Sequence, residues 1–154
     1  MIIELYNEDI LREVDILNYY KGEAMKRKDA DAVSIETAKE QQDALLYHIR
    51  AAVNDVLLLA NPRITTFTAE NTEDKLVFSL SPVRDNTEHL QPIIKESIRQ
   101  YLIYEVRRLW MRNVRPDLAD DSMRSILLSN IATPLRSTVK AERVRRRATN
   151  LAGI

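Results

Sequence analysis

The chain has 154 residues, 45% hydrophobic and 30% charged, with two glycines, five prolines and no cysteine. This is one domain's worth of an ordinary globular mixture. The missing cysteines exclude a disulfide scaffold, a thiolate metal site and a cysteine nucleophile.

The formal net charge is zero, but it is divided along the chain. Residues 99–154 hold 12 basic and 5 acidic side chains, +7; residues 1–98 hold 11 and 18, −7. Such a division suits a charged partner, head-to-tail self-association, or simple pairing of the two halves. The opening "MIIELYNEDI" turns acidic at once, unlike a signal peptide. The apolar run Val56–Ala60 is too short to span a bilayer.

A first helix is expected from Asn7, a good N-cap, with Glu8 and Asp9 in the positive first turn. Ile10, Leu11, Val14, Leu17 and Met25 recur at helical spacing, and Gly22 weakens the middle. Residues 1–34 thus read as an N-terminal helix that serves as an interaction arm, with polar "KRKDADAVS" (26–34) as its connector. The second helix starts at Ser34. Ile35, Ala38, Gln42, Leu45, Ile49, Val53, Val56 and Ala60 form one stripe of about 26 residues, roughly 39 Å. Asn61-Pro62 ends it, because a residue before proline avoids helical angles.

The period then changes to two. "RITTFTA" (63–69) and "KLVFSL" (75–80), joined by the turn "ENTED", predict a β-hairpin near residues 63–80. A lone hairpin is marginal in water, so this one must pack on a helix or add to a neighbour's sheet. Thr87 or Asn86 caps a third long helix, in which Pro92 sits early. Its apolar face runs from Leu90 through Ile94, Ile98, Tyr101, Leu102 and Val106 to Trp110. Lys95, Arg99, Arg107, Arg108 and Arg112 are expected on the opposite side. "NVRPD" breaks it, and a fourth helix carries Leu118, Met123, Ile126, Leu127, Ile131, Leu135 and Val139. Pro134 should kink or divide that helix, and the end should fray from about Ala148. The expected fold is therefore mainly α: a single domain over 1–154 of about four helices, two or more of them long, with one inserted β-hairpin.

Catalysis has little support. His48 and His89 stand on different elements, without a carboxylate or second histidine at metal-ligand spacing. His48 borders the apolar stripe. Two glycines cannot build a P-loop or a dinucleotide fingerprint. Asp120-Asp121 reads as the acidic first turn of a helix. No catalytic residue, metal site or cofactor is assigned. Tyr101 and Trp110 fall on the apolar stripe and read as core rather than as a stacking platform for bases; Tyr19 and Tyr20 suit an interface.

The arginines are the informative feature. Arginine outnumbers lysine 16 to 7 overall and 11 to 1 after residue 98, and it is favoured where planar bidentate contacts to carboxylate or phosphate matter. "AERVRRRATN" (141–150) packs Arg143, Arg145, Arg146 and Arg147 into five positions. The segment 140–154 reads as a second interaction arm that meets an anion, either acidic protein surface or DNA phosphate.

Residues 98–150 resemble the C-terminal half of tailed-phage head–tail connector proteins, the adaptor or neck-ring type. The likeness lies in the "YxVxxLW" helix end (Tyr104, Val106, Leu109, Trp110), the short break, the next helix and the Arg-rich end. The order long helix, hairpin, long helix over 35–113 is similar too, whereas residues 1–34 depart from the smaller adaptors. The resemblance implies a non-enzymatic virion protein, present in the host cytoplasm during assembly. It implies a homo-oligomeric ring, a dodecamer, beneath the portal and lining the passage of DNA that it contacts without sequence specificity. It also implies that Arg143, Arg145, Arg146 and Arg147 dock on acidic portal surface beside other neck or tail proteins, and that no membrane is involved. The alternative from the residues alone is a helical nucleic-acid-binding regulator using the same basic end. No helix-turn-helix pair is evident for it, and the acidic first half would repel DNA.

Overall fold

The computed structural model describes residues 1–28, 41–62 and 65–139. It is mainly helical, with four helices and a small antiparallel sheet among those residues. In chain order the elements are β1 (Ile2–Tyr6), α1 (Asn7–Lys28), α2 (Gln42–Leu57), β2 (Thr66–Asn71), β3 (Lys75–Ser81), α3 (Gln91–Val114) and α4 (Arg124–Thr138). Short 3₁₀ turns, Glu88–Leu90 and Pro116–Leu118, precede α3 and α4.

The expected hairpin is present as β2–β3, and a strand not expected from the sequence completes its sheet. The order is β1-β3-β2, all antiparallel. Register places Ile3 opposite Phe78 and Leu5 opposite Leu76, while Phe67 faces Leu80 and Ala69 faces Phe78. One face of the sheet is therefore apolar, and Ile3, Leu5, Leu76, Phe78 and Leu80 are all buried. The hairpin gains its third strand from residues 2–6 of its own chain. This corrects the reading of residues 1–34 as a helical arm: residues 2–6 are a strand, and α1 buries Ile10, Leu11 and Val14 in the same core. The outward residues of this region are Ile2, Tyr6, Tyr19 and Tyr20, each at least half exposed.

Asn7 differs from its expected role as a cap. It is buried as the first residue of α1, and it clamps the hairpin turn. Its backbone N–H donates to Asp74 O (2.9 Å), and its Nδ2 lies within hydrogen-bond distance of Asn71 Oδ1 (3.3 Å), Thr72 O (3.0 Å) and Glu73 O (3.1 Å). The start of α1 is thus fixed to a turn more than sixty residues away.

α3 is the hub, packing against α1, α2, α4 and β1. Tyr101, Leu102, Ile103, Glu105 and Val106 are all buried, so its middle is covered on nearly every side. α2 contributes Leu45, Ile49, Ala52, Val53 and Val56, close to the expected stripe, although Gln42 is exposed. Its expected start at Ser34 lies outside the described residues. α3 begins after a 3₁₀ turn that follows Thr87. The Thr87 hydroxyl donates to Arg84 O (2.7 Å) rather than capping the helix, and Asn86 adopts φ 62°, a left-handed value that asparagine tolerates. Pro134 does not divide α4, which is assigned as one helix through Thr138. The Thr133 and Thr138 hydroxyls bond back to the carbonyls of Ser129 (3.0 Å) and Pro134 (2.9 Å), holding the turns on both sides of the proline.

Candidate functional site: an ion-paired seam and the exit of the basic segment

Arg143, Arg145, Arg146 and Arg147 lie outside the described residues, as does the expected fraying from Ala148. The described residues end at Val139, which is held in place. Val139 forms an isolated antiparallel bridge with Val83, and Arg84 N–H donates to Thr138 O at 2.8 Å. The end of α4 is therefore tied to the loop that leaves β3. Beside Val139 lies a cavity of about 290 Å³ lined by Leu59, Ala60, Thr65, Leu135 and Val139, among others.

Arg108, expected on the side of α3 opposite its apolar face, is instead buried. Arg108 is only 8% exposed. It meets Glu105, itself buried, in a bidentate pair: Nε donates to Oε2 at 2.7 Å and Nη2 to Oε1 at 2.5 Å. Its third donor, Nη1, reaches Asp121 Oδ1 at 2.7 Å, and Arg112 approaches the same carboxylate at 3.3 Å. On the other side, Arg124 Nε stands 3.6 Å from Glu105, while Arg124 Nη2 donates to Asp55 Oδ2 at 2.8 Å. Tyr101 donates to that oxygen as well, at 2.7 Å. Asp55, Arg124, Glu105, Arg108, Asp121 and Arg112 thus alternate in sign along one seam joining α2, α3 and α4. Three of each sign leave it neutral.

Physical consequences follow for the ionisable groups. Burial, with the bond to Asp55 next, raises the Tyr101 phenol, which stays protonated as a donor. The Glu105 hydrogen bond is the largest influence holding Arg108 charged. The Arg108 hydrogen bond holds the Asp121 carboxyl below the usual range. Elsewhere Arg115 pairs with Asp117 at 2.8 Å, and Arg99 lies 3.3 Å from Glu96 and 3.6 Å from Glu13. Five arginines between residues 99 and 124, namely 99, 108, 112, 115 and 124, are therefore in ion pairs within the body.

Asp120 and Asp121 do not stand inside a helix. Asp120 Oδ1 accepts from Ser122 N–H at 2.9 Å, and Asp121 O accepts from Arg124 N–H at 3.3 Å, so the pair shapes the turn before α4. The Tyr104 hydroxyl donates to Asp120 O. His48 is buried beside Asn113, with Nε2 3.4 Å from Nδ2, and burial pushes its pKa below the ordinary histidine range. Neutral histidine in this setting is a core group. Among the described residues no cluster of three His, Asp or Glu could hold a metal ion, and no helix is long and apolar enough to cross a membrane.

Arg107 is the exception in α3. It is half-buried, and its Nε donates to Oδ1 of the fully buried Asn18 at 3.2 Å. Among the described residues no carboxylate pairs with it, and burial alone lowers its pKa.

The sequence reading missed Glu105 and Arg108 as a buried pair, although a signal was present. Glu105 stands four residues after Tyr101 and three after Leu102, inside the apolar stripe, and Arg108 stands three residues further on. A carboxylate in a stripe with an arginine one turn away is the signature of a buried pair. No protein family, curated protein or solved structure gives a match to this chain.

Proposed function

We propose that the chain is a non-enzymatic head–tail connector subunit of a phage virion. It assembles as a ring, a dodecamer, below the portal, and lines the DNA passage. One observation carries the reading. Five arginines of the body are already ion-paired between residues 99 and 124, while the sequence holds four more, Arg143, Arg145, Arg146 and Arg147, beyond the point where the chain leaves α4. Clustered arginines suit docking on carboxylates of a partner. The portal surface is that partner in this reading, and passing DNA is contacted without sequence readout. The helical body with a small sheet, and a charge division that favours head-to-tail contacts, fit a ring subunit.

The experiment replaces Arg145, Arg146 and Arg147 with alanine and measures co-sedimentation with the portal, with circular dichroism as the check on folding. The expected protein folds normally and fails to dock. If portal binding persists and retention on DNA at low salt is lost instead, the basic end belongs to a nucleic-acid-binding regulator. In that case log affinity falls with log salt by about 0.9 per phosphate contacted.

A further inference from the structure

Two features of the described body, opposite in sign, present charge to a partner. The first is a pocket of about 220 Å³ between α1, α3 and the segment leading into α4, with Lys21, Arg107 and Asp120 among its lining residues and Met111, Leu118 and Met123 as apolar wall. Arg107 is fixed from behind by Asn18, and its two terminal nitrogens have no acceptor among the described residues. Lys21 acts at longer range on the Asp117 and Asp120 carboxylates, so Arg107 is the cation of the pocket without a carboxylate of its own among the described residues. A half-buried guanidinium without a counter-charge is costly, and an incoming oxyanion removes that cost. The second feature is the turn between β2 and β3. Glu73 and Asp74 are exposed there, and no cation pairs with them among the described residues. The turn is held rigid by Asn7 and by Thr72, whose hydroxyl accepts from Lys75 N–H at 3.1 Å.

The two features cannot meet within one molecule. The turn is clamped at Asn7, the first residue of α1, and Lys21 stands fourteen residues further along that helix, about 21 Å at the helical rise. DNA phosphate fits the pocket less well than a carboxylate does. Asp120 lines it and Lys21 already acts on Asp117 and Asp120, so a continuous phosphate backbone would be repelled along its length, where a short acidic turn that ends at Arg107 would not.

We propose that the pocket is a carboxylate socket that receives the Glu73–Asp74 turn of a second copy of this chain. The contact is heterologous, since socket and turn are different surfaces, and repeated head to tail it builds a ring or a filament. It deepens the connector reading and rests on it only for closure into a ring.

Charge exchange tests this on the full chain, read by sedimentation velocity. Arg107→Glu, and separately the pair Glu73→Arg with Asp74→Arg, each weakens self-association at least about tenfold. Mixing the two variants restores it, because each socket then meets a turn of opposite charge. Lys21→Glu replaces Arg107→Glu if the latter unfolds, as checked by circular dichroism. A wild-type chain that stays monomeric, variants that associate as wild type, or a mixture that does not recover each overturns the socket. DNA retention lost in Arg107→Glu with self-association unchanged assigns the pocket to phosphate and overturns it too. Rings that persist in both variants, or a monomer that still docks on the portal, sink the socket and leave the connector reading standing. Failure to dock on the portal in a chain whose rings obey the charge exchange sinks the connector reading alone.

Discussion

The helical end and the sheet end of the molecule handle charge in opposite ways. At the helical end, arginines that the sequence places in a basic tail half are neutralised one by one, by Glu105, Asp121, Asp117 and Asp55. At the sheet end, the turn at residues 72–74 is fixed by uncharged hydrogen bonds from Asn7, and its acids face solvent. The difference teaches that net charge by segment does not report charge available to a partner. The basic half holds five of its eleven arginines in internal ion pairs. The acidic half exposes Glu73 and Asp74 on a turn held by hydrogen bonds from Asn7.

The largest expected effect comes from breaking the seam at its centre. Glu105→Gln leaves Arg108 buried against a neutral amide and should destabilise by about 3–5 kcal/mol, read by urea unfolding. Replacing both partners, Glu105→Leu with Arg108→Met, should recover most of that loss, since an apolar pair of similar volume is often neutral. Equal losses in the single and double variants would show that the seam positions α4 in a way packing cannot replace.

At the sheet end the corresponding break is Asn7→Ala. It removes the side-chain bonds that hold the turn and should cost about 2–3 kcal/mol, at roughly 1 kcal/mol per net hydrogen bond. Hydrogen exchange should quicken in β3 first, while the α3 amides near Glu105 keep their protection; uniform loss of protection would mean that the two ends are one cooperative unit. Tyr101→Phe, which removes one bond to Asp55, should cost about 1–2 kcal/mol by the same denaturant measurement.

Acid should act on the helical end more than on the sheet end. The Asp121 carboxyl is held low by Arg108, so the stability it contributes is present above its unfolded pKa, about 3.9. That contribution is lost as pH falls through the lower folded value. Asp121→Asn should flatten this part of a stability-versus-pH curve. The smallest effect belongs to His48. Burial lowers its folded pKa, so the unfolded chain takes up a proton first, near pH 6.5, and stability declines as pH drops from there to the folded value. His48→Gln should remove that slope in thermal melts recorded between pH 5 and 7.

Much of this was legible in the residues. Leu45, Ile49, Val53 and Val56 share a helical face because their spacing is helical, and Leu76, Phe78 and Leu80 share a sheet face because theirs is two. These are local consequences of backbone geometry, and the structure buries all seven. The alternation in Ile2–Tyr6 is just as local, but five residues beside an acidic helix start are too few to reveal a strand without its partner β3. The candidate site was less legible. Arg143, Arg145, Arg146 and Arg147 lie outside the described residues, and the sequence could not separate them from the arginines of α3.

By itself the sequence determined the helical class, the place of the hairpin, the apolar faces and the division of charge, all of which follow from neighbours within a turn or two. Only the tertiary structure decided that residues 2–6 complete the sheet, that Asn7 clamps a turn 65 residues away, and that Arg107 rests on Asn18 across 89 residues. Contacts at such separations depend on how the helices and sheet pack, and no local periodicity encodes which acid will meet which arginine.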